Sequence, residues 1–444
     1  MIETIAITTA RTLIRAPRPR APRNRLPRAV TLLLALATVL AMAALPAAAD
    51  TVTATIPVGD GPRTVAITPD GARAYVTNQF GASVSVIEIA TNTVVATVPT
   101  GGSAPFVVAI TPDGARAYVT LLQSDSVAVI DTDTNTTTTT IPVGDFPSGV
   151  AITPDGSRAY VTNSGESSVS VIDTSTNAVV GAPIPVGSVP RGVAITPDGA
   201  RAYVTNQSSD SVSVIDTATN TVTTTIGVDD SPQFAAFSPD GARAYVTHTG
   251  GNSVSVIDTA TSAVIDTIPT GTAMVGVAIT PDGTRVYATQ IISDAVSVID
   301  TATNAVIDTI PVGDFPTSVA ITPDGTRVYV ANQIQSTVSV ITIEVAPTVS
   351  GTPPAGTVGQ PYAFAFTTTG QPAPTVTTAD PLPAGLVLAG DGTITGIPTE
   401  AGTFPITVTA TNAIAPDATT DVVIEIAPQL CIGSICLPSG SSGS

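Results

Sequence analysis

Residues 66–78 read AITPDGARAYVTN, residues 109–120 read AITPDGARAYVT, and residues 194–206 read AITPDGARAYVTN again. Working outward from this stretch, Thr/Ser-Pro-Asp-Gly tetrads begin at Thr68, Thr111, Thr153, Thr196, Ser238, Thr280 and Thr322, at spacings of 43, 42, 43, 42, 42 and 42. A period of about 40–45 residues made of short alternating runs marks four-stranded propeller blades. Each unit divides in the same way. VAIT is strand a, PDG a turn, ARAYVTN strand b, then a variable loop, SVSVIDT strand c, the turn TATN, and strand d, which is TVVATVP (93–99) in the first copy. Composition agrees. The apolar content of 43% is mostly Val, Ile and Ala mixed with Thr and Ser, and 36 Gly and 38 Pro supply the turns, as a chain of short strands needs.

The seventh copy stops after TVSVITI (337–343), without a strand d. A spare strand d, TVTATIPV (51–58), stands at the other end with no a, b or c before it. An open ring would expose strand edges that invite mispairing, so the spare strand is expected to complete blade seven and close the ring.

Residues 1–49 differ in kind. Seven Arg between 11 and 28 precede the uncharged run AVTLLLALATVLAMAAL (29–45), and Ala47-Ala48-Ala49 precedes Asp50. A basic region, an apolar region and a small-residue cleavage site read as a secretory signal peptide, with no transmembrane segment after cleavage. The full chain has 16 basic residues, all Arg, against 34 acidic ones, a formal charge of −18. Removing residues 1–49 leaves nine Arg against 33 acidic residues, a charge of −24. Such a surface repels phosphate backbones, which argues against nucleic-acid binding, and it attracts divalent cations.

The run RAYVTN, followed by SVSVIDT and NTVxxTIPVG over residues 51–343, resembles the YVTN family of β-propeller repeats, which includes archaeal surface-layer proteins. The wider propeller class also holds lactonases and copper or haem reductases. Residues 346–428 contain LPAGLxL…GTITGIPTEAGTFPITVTATN and resemble the Ig-like domains of bacterial exported proteins. The runs Tyr362–Thr368, Thr393–Ile397 and Thr403–Thr409 read as strands of a sandwich. That resemblance implies a cadherin-like fold, and a Ca²⁺ ion in some members. Here the strand ends TATN (409–412), where an Asp would be the better ligand. In the tail 429–444, Cys431 and Cys436 are the only cysteines, and in an exported chain they are expected to form a local disulfide.

A residue that every blade repeats is most simply one that builds blades. Seven of the eight Tyr share one repeat position, and seven Arg share another. With strands b and c antiparallel, Arg73 faces Glu88, and Arg116, Arg158, Arg201, Arg243 and Arg285 face Asp131, Asp173, Asp216, Asp258 and Asp300. These six are expected to be cross-strand charge pairs, each worth a few tenths to ~1 kcal/mol. Thr342 breaks the series in the last blade. The PDG acids are expected to serve their turns.

A single site must break the repeat. The breaks fall in the b–c and d–a loops, which share one face because strand direction alternates. These loops hold the two Arg outside the series, Arg63 and Arg191, the only His, His248, and the acids Asp60, Asp145, Asp229, Asp230 and Asp314. These eight are the candidate binding residues. One His cannot furnish a copper or haem cluster. No G-x-S-x-G elbow is present, and no spacing singles out a catalytic pair of acids.

The expectation is therefore all-β: a seven-bladed β-propeller (50–345) closed by an N-terminal strand, followed by an Ig-like β-sandwich (346–428). It would be secreted or held at the cell envelope as a non-enzymatic binding, adhesion or surface-layer-type module. Its partners would be an envelope glycan or protein, or further copies of itself, and its one candidate cofactor is Ca²⁺. The alternative is a lactonase-like enzyme working at the same face.

Overall fold

The computed structural model describes residues 50–414 and 416–429, together with the backbone of the short strands Cys431–Ile432 and Ile435–Cys436. The signal-peptide reading of 1–49 lies outside the described residues. Cys431 and Cys436 face each other across a two-stranded ribbon; their side chains, and so the expected disulfide, are also outside them.

Residues 51–342 form seven four-stranded antiparallel sheets, the third of which has its outermost strand split in two. Blade 1 runs Pro62–Ile67, Arg73–Asn78, Ser83–Glu88 and Thr93–Pro99 as strands a to d, and each later blade repeats this order. Strand a begins before VAIT, at the proline that ends the preceding loop or, in blade 6, at Met274. Successive strands a touch one another around the ring, from Pro62–Ile67 through to Pro316–Ile321 and back to Pro62–Ile67. They therefore form the inner wall. In blade 3 the strand d is divided into Ala178–Val179 and Ile184–Pro185, which absorbs the extra residue of the second 43-residue spacing.

The ring closes as expected. Thr51–Pro57 lies antiparallel to Thr337–Thr342 and supplies strand d of blade 7. Ile56 packs with Val65, Ala74 and Val76 of blade 1 and with Tyr329 of blade 7. Every seam has the same apolar filling, in which the repeat Tyr of one blade meets Val, Ala and Ile of the next, as Tyr75 meets Val119 and Ile130. All seven of these Tyr are fully buried, each worth about 2–3 kcal/mol in apolar burial.

The predicted register is present: Arg73 stands opposite Glu88, and Arg116, Arg158, Arg201, Arg243 and Arg285 stand opposite the five predicted Asp. The guanidinium groups go elsewhere, and this corrects the charge-pair expectation. Among the described residues only Arg73–Glu88 is an ion pair of this series, at 3.9 Å. Instead the Arg donates to a backbone carbonyl of the next blade. Arg73, Arg116, Arg158, Arg201, Arg243 and Arg327 reach Thr132, Thr174, Thr217, Thr259, Thr301 and Ile89 at 2.5–2.9 Å. The Tyr hydroxyl joins the same turn, as Tyr75 donates to the Asn135 side chain at 2.8 Å. The strand-c Asp turns inward to its own loop. Asp131 accepts from the Thr134 hydroxyl and amide, and these bonds hold its carboxyl below the usual range. The PDG acids do likewise: Asp70 accepts from the Thr68 hydroxyl and the Ala72 amide.

The C-terminal domain has two main sheets enclosing Tyr362, Phe366, Val376, Ile394, Ile406, Val408 and Ile424. One pairs Gly402–Thr411 with Ala418–Ala427 and carries Thr375–Thr378 and Gly356–Thr357 at its edges; the other joins Tyr362–Ala365, Thr393–Gly396 and Leu386–Leu388. This is an Ig-like sandwich.

Candidate functional site

In every blade the d–a turn is tied to the b–c loop beside it. The residue before the strand-a proline accepts an amide from that loop: Gly61 from Gln79, Phe146 from Ser164, Val189 from Gln207 and Phe315 from Gln333, at 2.8–3.1 Å. These four residues sit at positive φ, so the chain turns sharply into the inner strand, whose second residue follows the proline (Met274 in blade 6). At that position the seven blades carry Arg63, Phe106, Ser148, Arg191, Gln233, Val275 and Thr317. The backbone there is pinned from behind. The Thr of YVTN donates to it from the preceding blade, as in Thr77 to Phe106 O (3.0 Å), Thr162 to Arg191 O (2.9 Å) and Thr205 to Gln233 O (2.6 Å). Blade 7 has Ala331 in place of that Thr, and Thr317 supplies the missing hydroxyl, donating to Arg63 O at 2.7 Å.

Two of the predicted residues meet here. The Arg63 guanidinium carbon lies 4.5 Å from the centre of the Phe106 ring, and that of Arg191 lies 5.8 Å from the same ring. These side chains belong to blades 1, 2 and 4, so they meet across the interior of the ring; Ser148 of blade 3 between them is small and folds back onto Pro190 O. Arg191 Nε donates to Gln207 Oε1 at 2.8 Å. Among the described residues the ion pairs are Arg73–Glu88 and Arg285–Asp50, so neither Arg63 nor Arg191 faces a carboxylate. Burial, and then the charge of Arg191, push the Arg63 guanidinium down to about 10; burial lowers Arg191 too. Both stay protonated at neutral pH. The strongly acidic propeller thus gathers its two non-repeat arginines at one end of its ring and, among the described residues, leaves them without counter-charges.

His248 and Asp229 also come together, in another role. His248 was expected in a b–c loop, as a candidate binding residue. It is instead the last residue of strand b, Arg243–His248, and fully buried. It stands where other blades have the YVTN Asn. Asn78, Asn163 and Asn206 each bridge two serines of strand c, as Asn78 does with Ser83 and Ser85 at 3.0 and 2.9 Å. His248 Nε2 bonds Ser255 Oγ at 2.9 Å, and Ser253 donates to Asp229 Oδ2 at 2.5 Å. Asp229 replaces a glycine. A Cβ on Gly59, its counterpart in blade 1, would lie 2.4 Å from Asn78 Nδ2, so Asn and Gly change together. Burial lowers the imidazole to about 4 despite Asp229 beside it. The imidazole is sealed in the interior, and Asp229 beside it is half-buried.

Asp60, Asp145, Asp230 and Asp314 occupy one position of the d–a turn in four blades and are exposed. Their carbonyls accept b–c amides, as Asp145 O does from Gly165. They are not brought together; they make a dispersed acidic rim.

Three family models match parts of this propeller and sandwich. The Choice-of-anchor I domain matches residues 132–282, the Lactonase, 7-bladed beta-propeller family residues 219–349, and the Putative Ig domain family residues 345–427. Among solved structures, the chain is similar to hydrazine synthase of Kuenenia stuttgartiensis, with 29% identity and a TM-score of 0.59 over 64% of this chain and 96% of that one. No curated protein matches the sequence. The comparisons agree with the geometry on a β-propeller followed by an Ig-like domain.

The sequence reading missed Phe106 and Gln207. Phe106 follows Pro105 as Arg63 follows Pro62, but its loop, GGSAPF, lacks the Gly-Asp-x-Pro pattern and holds the extra residue of the first 43-residue spacing. Aligning on the strand-a proline would have found it. In the Ig-like domain Asn412 does not fit a Ca²⁺ site. Its amide donates to Val345 O and Pro372 O at 2.9 and 2.7 Å, and its oxygen accepts from the Ile414 amide. Among the described residues no three His, Cys, Asp or Glu side chains cluster to hold a metal.

Proposed function

We propose that this chain is an exported, envelope-associated binding module of the YVTN type, with the Ig-like domain as its adhesive or spacing unit and the mouth of the ring as its binding site. One observation carries the reading: the repeat-breaking cations Arg63 and Arg191 converge on Phe106 at a single position of an otherwise repeated frame. Loops on a rigid scaffold are where recognition concentrates. The same face carries exposed apolar tips at Phe80, Ile292 and Ile334, which suit a macromolecular partner. The match to a family named for anchoring supports attachment. The charged groups that converge inside the acidic rim are donors, and the only imidazole is sealed away from them, which favours binding over turnover.

The test is to purify residues 50–444 and sediment them with envelopes of the source cells, with and without EDTA. Co-sedimentation is expected, and its loss on chelation would assign divalent cations to the bridge between two acidic surfaces. Protein left wholly in the supernatant in both conditions would overturn the reading. The Lactonase match favours a second reading, a lactone hydrolase at the same mouth. It predicts turnover of a lactone panel that is lost in R63Q and R191Q with folding intact.

A further inference from the structure

Resting on that reading, we infer that the mouth of the ring is a site for a small-molecule oxyanion, a carboxylate or phosphate group held between the Arg63 and Arg191 guanidinium groups. Four observations lead to it. Two cations from different blades are held near one aromatic ring, at 4.5 and 5.8 Å, with no carboxylate beside either. Unpaired charge in a half-buried setting is costly, and a positioned anion removes that cost. The guanidinium planes are also pre-set. Phe106 is nearly fully buried beneath them, and Gln207 takes Arg191 Nε, which leaves the terminal amino groups of Arg191 free to form the two-pronged bonds that suit carboxylate and phosphate. The backbone under Arg63 and Arg191 is latched by Thr317 and Thr162 of neighbouring blades, so little ordering is left for binding to accomplish.

The rim sets the size class. Asp60, Asp145, Asp230 and Asp314 surround the mouth, on a chain of strongly negative charge. A polyanion would meet this rim before it met the arginines. A small anion of one or two charges can pass between the exposed acids and reach the pair.

The test uses the purified protein in a low-salt, non-coordinating buffer, titrated by calorimetry with malonate, inorganic phosphate and uncharged malonamide. We expect saturable one-to-one binding of malonate or phosphate, a rise in melting temperature with ligand, and no response to malonamide. R63Q and R191Q should each weaken binding roughly 10- to 100-fold, the range for a charge-assisted contact. R116Q removes the same charge from a seam arginine and should leave affinity within about twofold, which separates a site from a general field. Malonate alone would name a carboxylate ligand, phosphate alone a phosphorylated one, and both the shared chemistry. Absence of saturable binding by either anion, or binding unchanged in R63Q and R191Q, would overturn the site. Sedimentation of the unaltered protein with envelopes distinguishes the two claims. If it co-sediments while neither anion binds it, the binding module stands and the oxyanion site falls. If the anions bind and nothing sediments, the reverse holds.

Discussion

The two ends of the ring follow opposite rules. At the PDG end, six blades send the same Arg to the same turn carbonyl of the next blade. At the mouth, one backbone position carries seven residues of six kinds. The first end is a set of seams, where any change opens a gap between blades. The second is set by a backbone latched from both sides, so most of its side chains can vary without harm to the ring, Ser148 and Thr317, which bond carbonyls of the next blade, excepted. Repetition therefore marks what holds the blades together, and variation on a pinned frame marks where a ligand can be read.

The seam between blades 6 and 7 is the sharpest test of that contrast, because its turn is absent. Blade 7 draws its strand d from the N-terminal segment, so no c–d turn is there to receive Arg285 and Tyr287. Asp50 takes its place. It accepts two bonds from Arg285 at 3.2 Å, one from Tyr287 and one from the Glu344 amide at 2.8 Å, and it is buried. Asp50→Ala should destabilise the protein by about 3 kcal/mol, below the cost of breaking a fully buried pair because Arg285 is partly exposed. Asp60→Ala, on the rim, should change stability by less than about 0.5 kcal/mol. Urea midpoints of the two variants compare the ends directly, and equal effects would refute the contrast.

His248 is next, because it is a departure from the repeat that belongs to the interior and not to the mouth. Its folded value of about 4 lies below the ordinary 6.5. The unfolded chain therefore binds the proton first, and stability falls as pH drops from about 6.5 to about 4, by roughly 3 kcal/mol in all. His248→Asn with Asp229→Gly restores the common pair and should remove that slope. His248→Asn alone should be worse than the double change, since Asp229 would crowd the new amide as a side chain at Gly59 would crowd Asn78; a double-mutant cycle measures the coupling, of about 1–3 kcal/mol. Chemical denaturation at pH 5 and 7 reads both.

A smaller effect sharpens the seam rule. Tyr203 is buried with its hydroxyl unpaired, while Tyr118, Tyr160 and Tyr329 reach Asn177, Asn220 and Asn92 at 2.6–2.8 Å. The turn residue that Tyr203 would reach is Ser262, too short to meet it and held at φ 53°. Ser262→Asn should add about 1 kcal/mol, from the regained bond and from the ease with which Asn adopts positive φ. Smallest of all, Arg63→Gln and Arg191→Gln should shift the melting point hardly at all, within about 0.5 kcal/mol, or raise it slightly by relieving the repulsion between like charges. A large loss would make them seam residues.

Much of the fold was legible in the chain. The closing strand was readable because blade 7 lacked a strand that residues 51–58 could supply, and the opposition of Arg73 and Glu88 followed from an antiparallel hairpin. The destination of the Arg was not readable, because its acceptor lies in the next blade and is a backbone carbonyl, which leaves no mark on residue type. His248 was misread as a loop residue because the loop follows it at once; its burial depends on the paired serines of strand c. Arg63 and Arg191 stood out as departures from the series, yet nothing local linked them to each other or to Phe106.

By itself the sequence determined the blades, their number and the way the ring shuts, since period-2 alternation, PDG turns and cross-strand register act over a few residues and repeat. Only the tertiary structure decided what meets at the mouth. Closing seven sheets into one ring brings side chains of blades 1, 2 and 4 to a common centre, and the reach of a guanidinium across that space depends on the ring's diameter and on the small Ser148 between them, not on any neighbour in the chain.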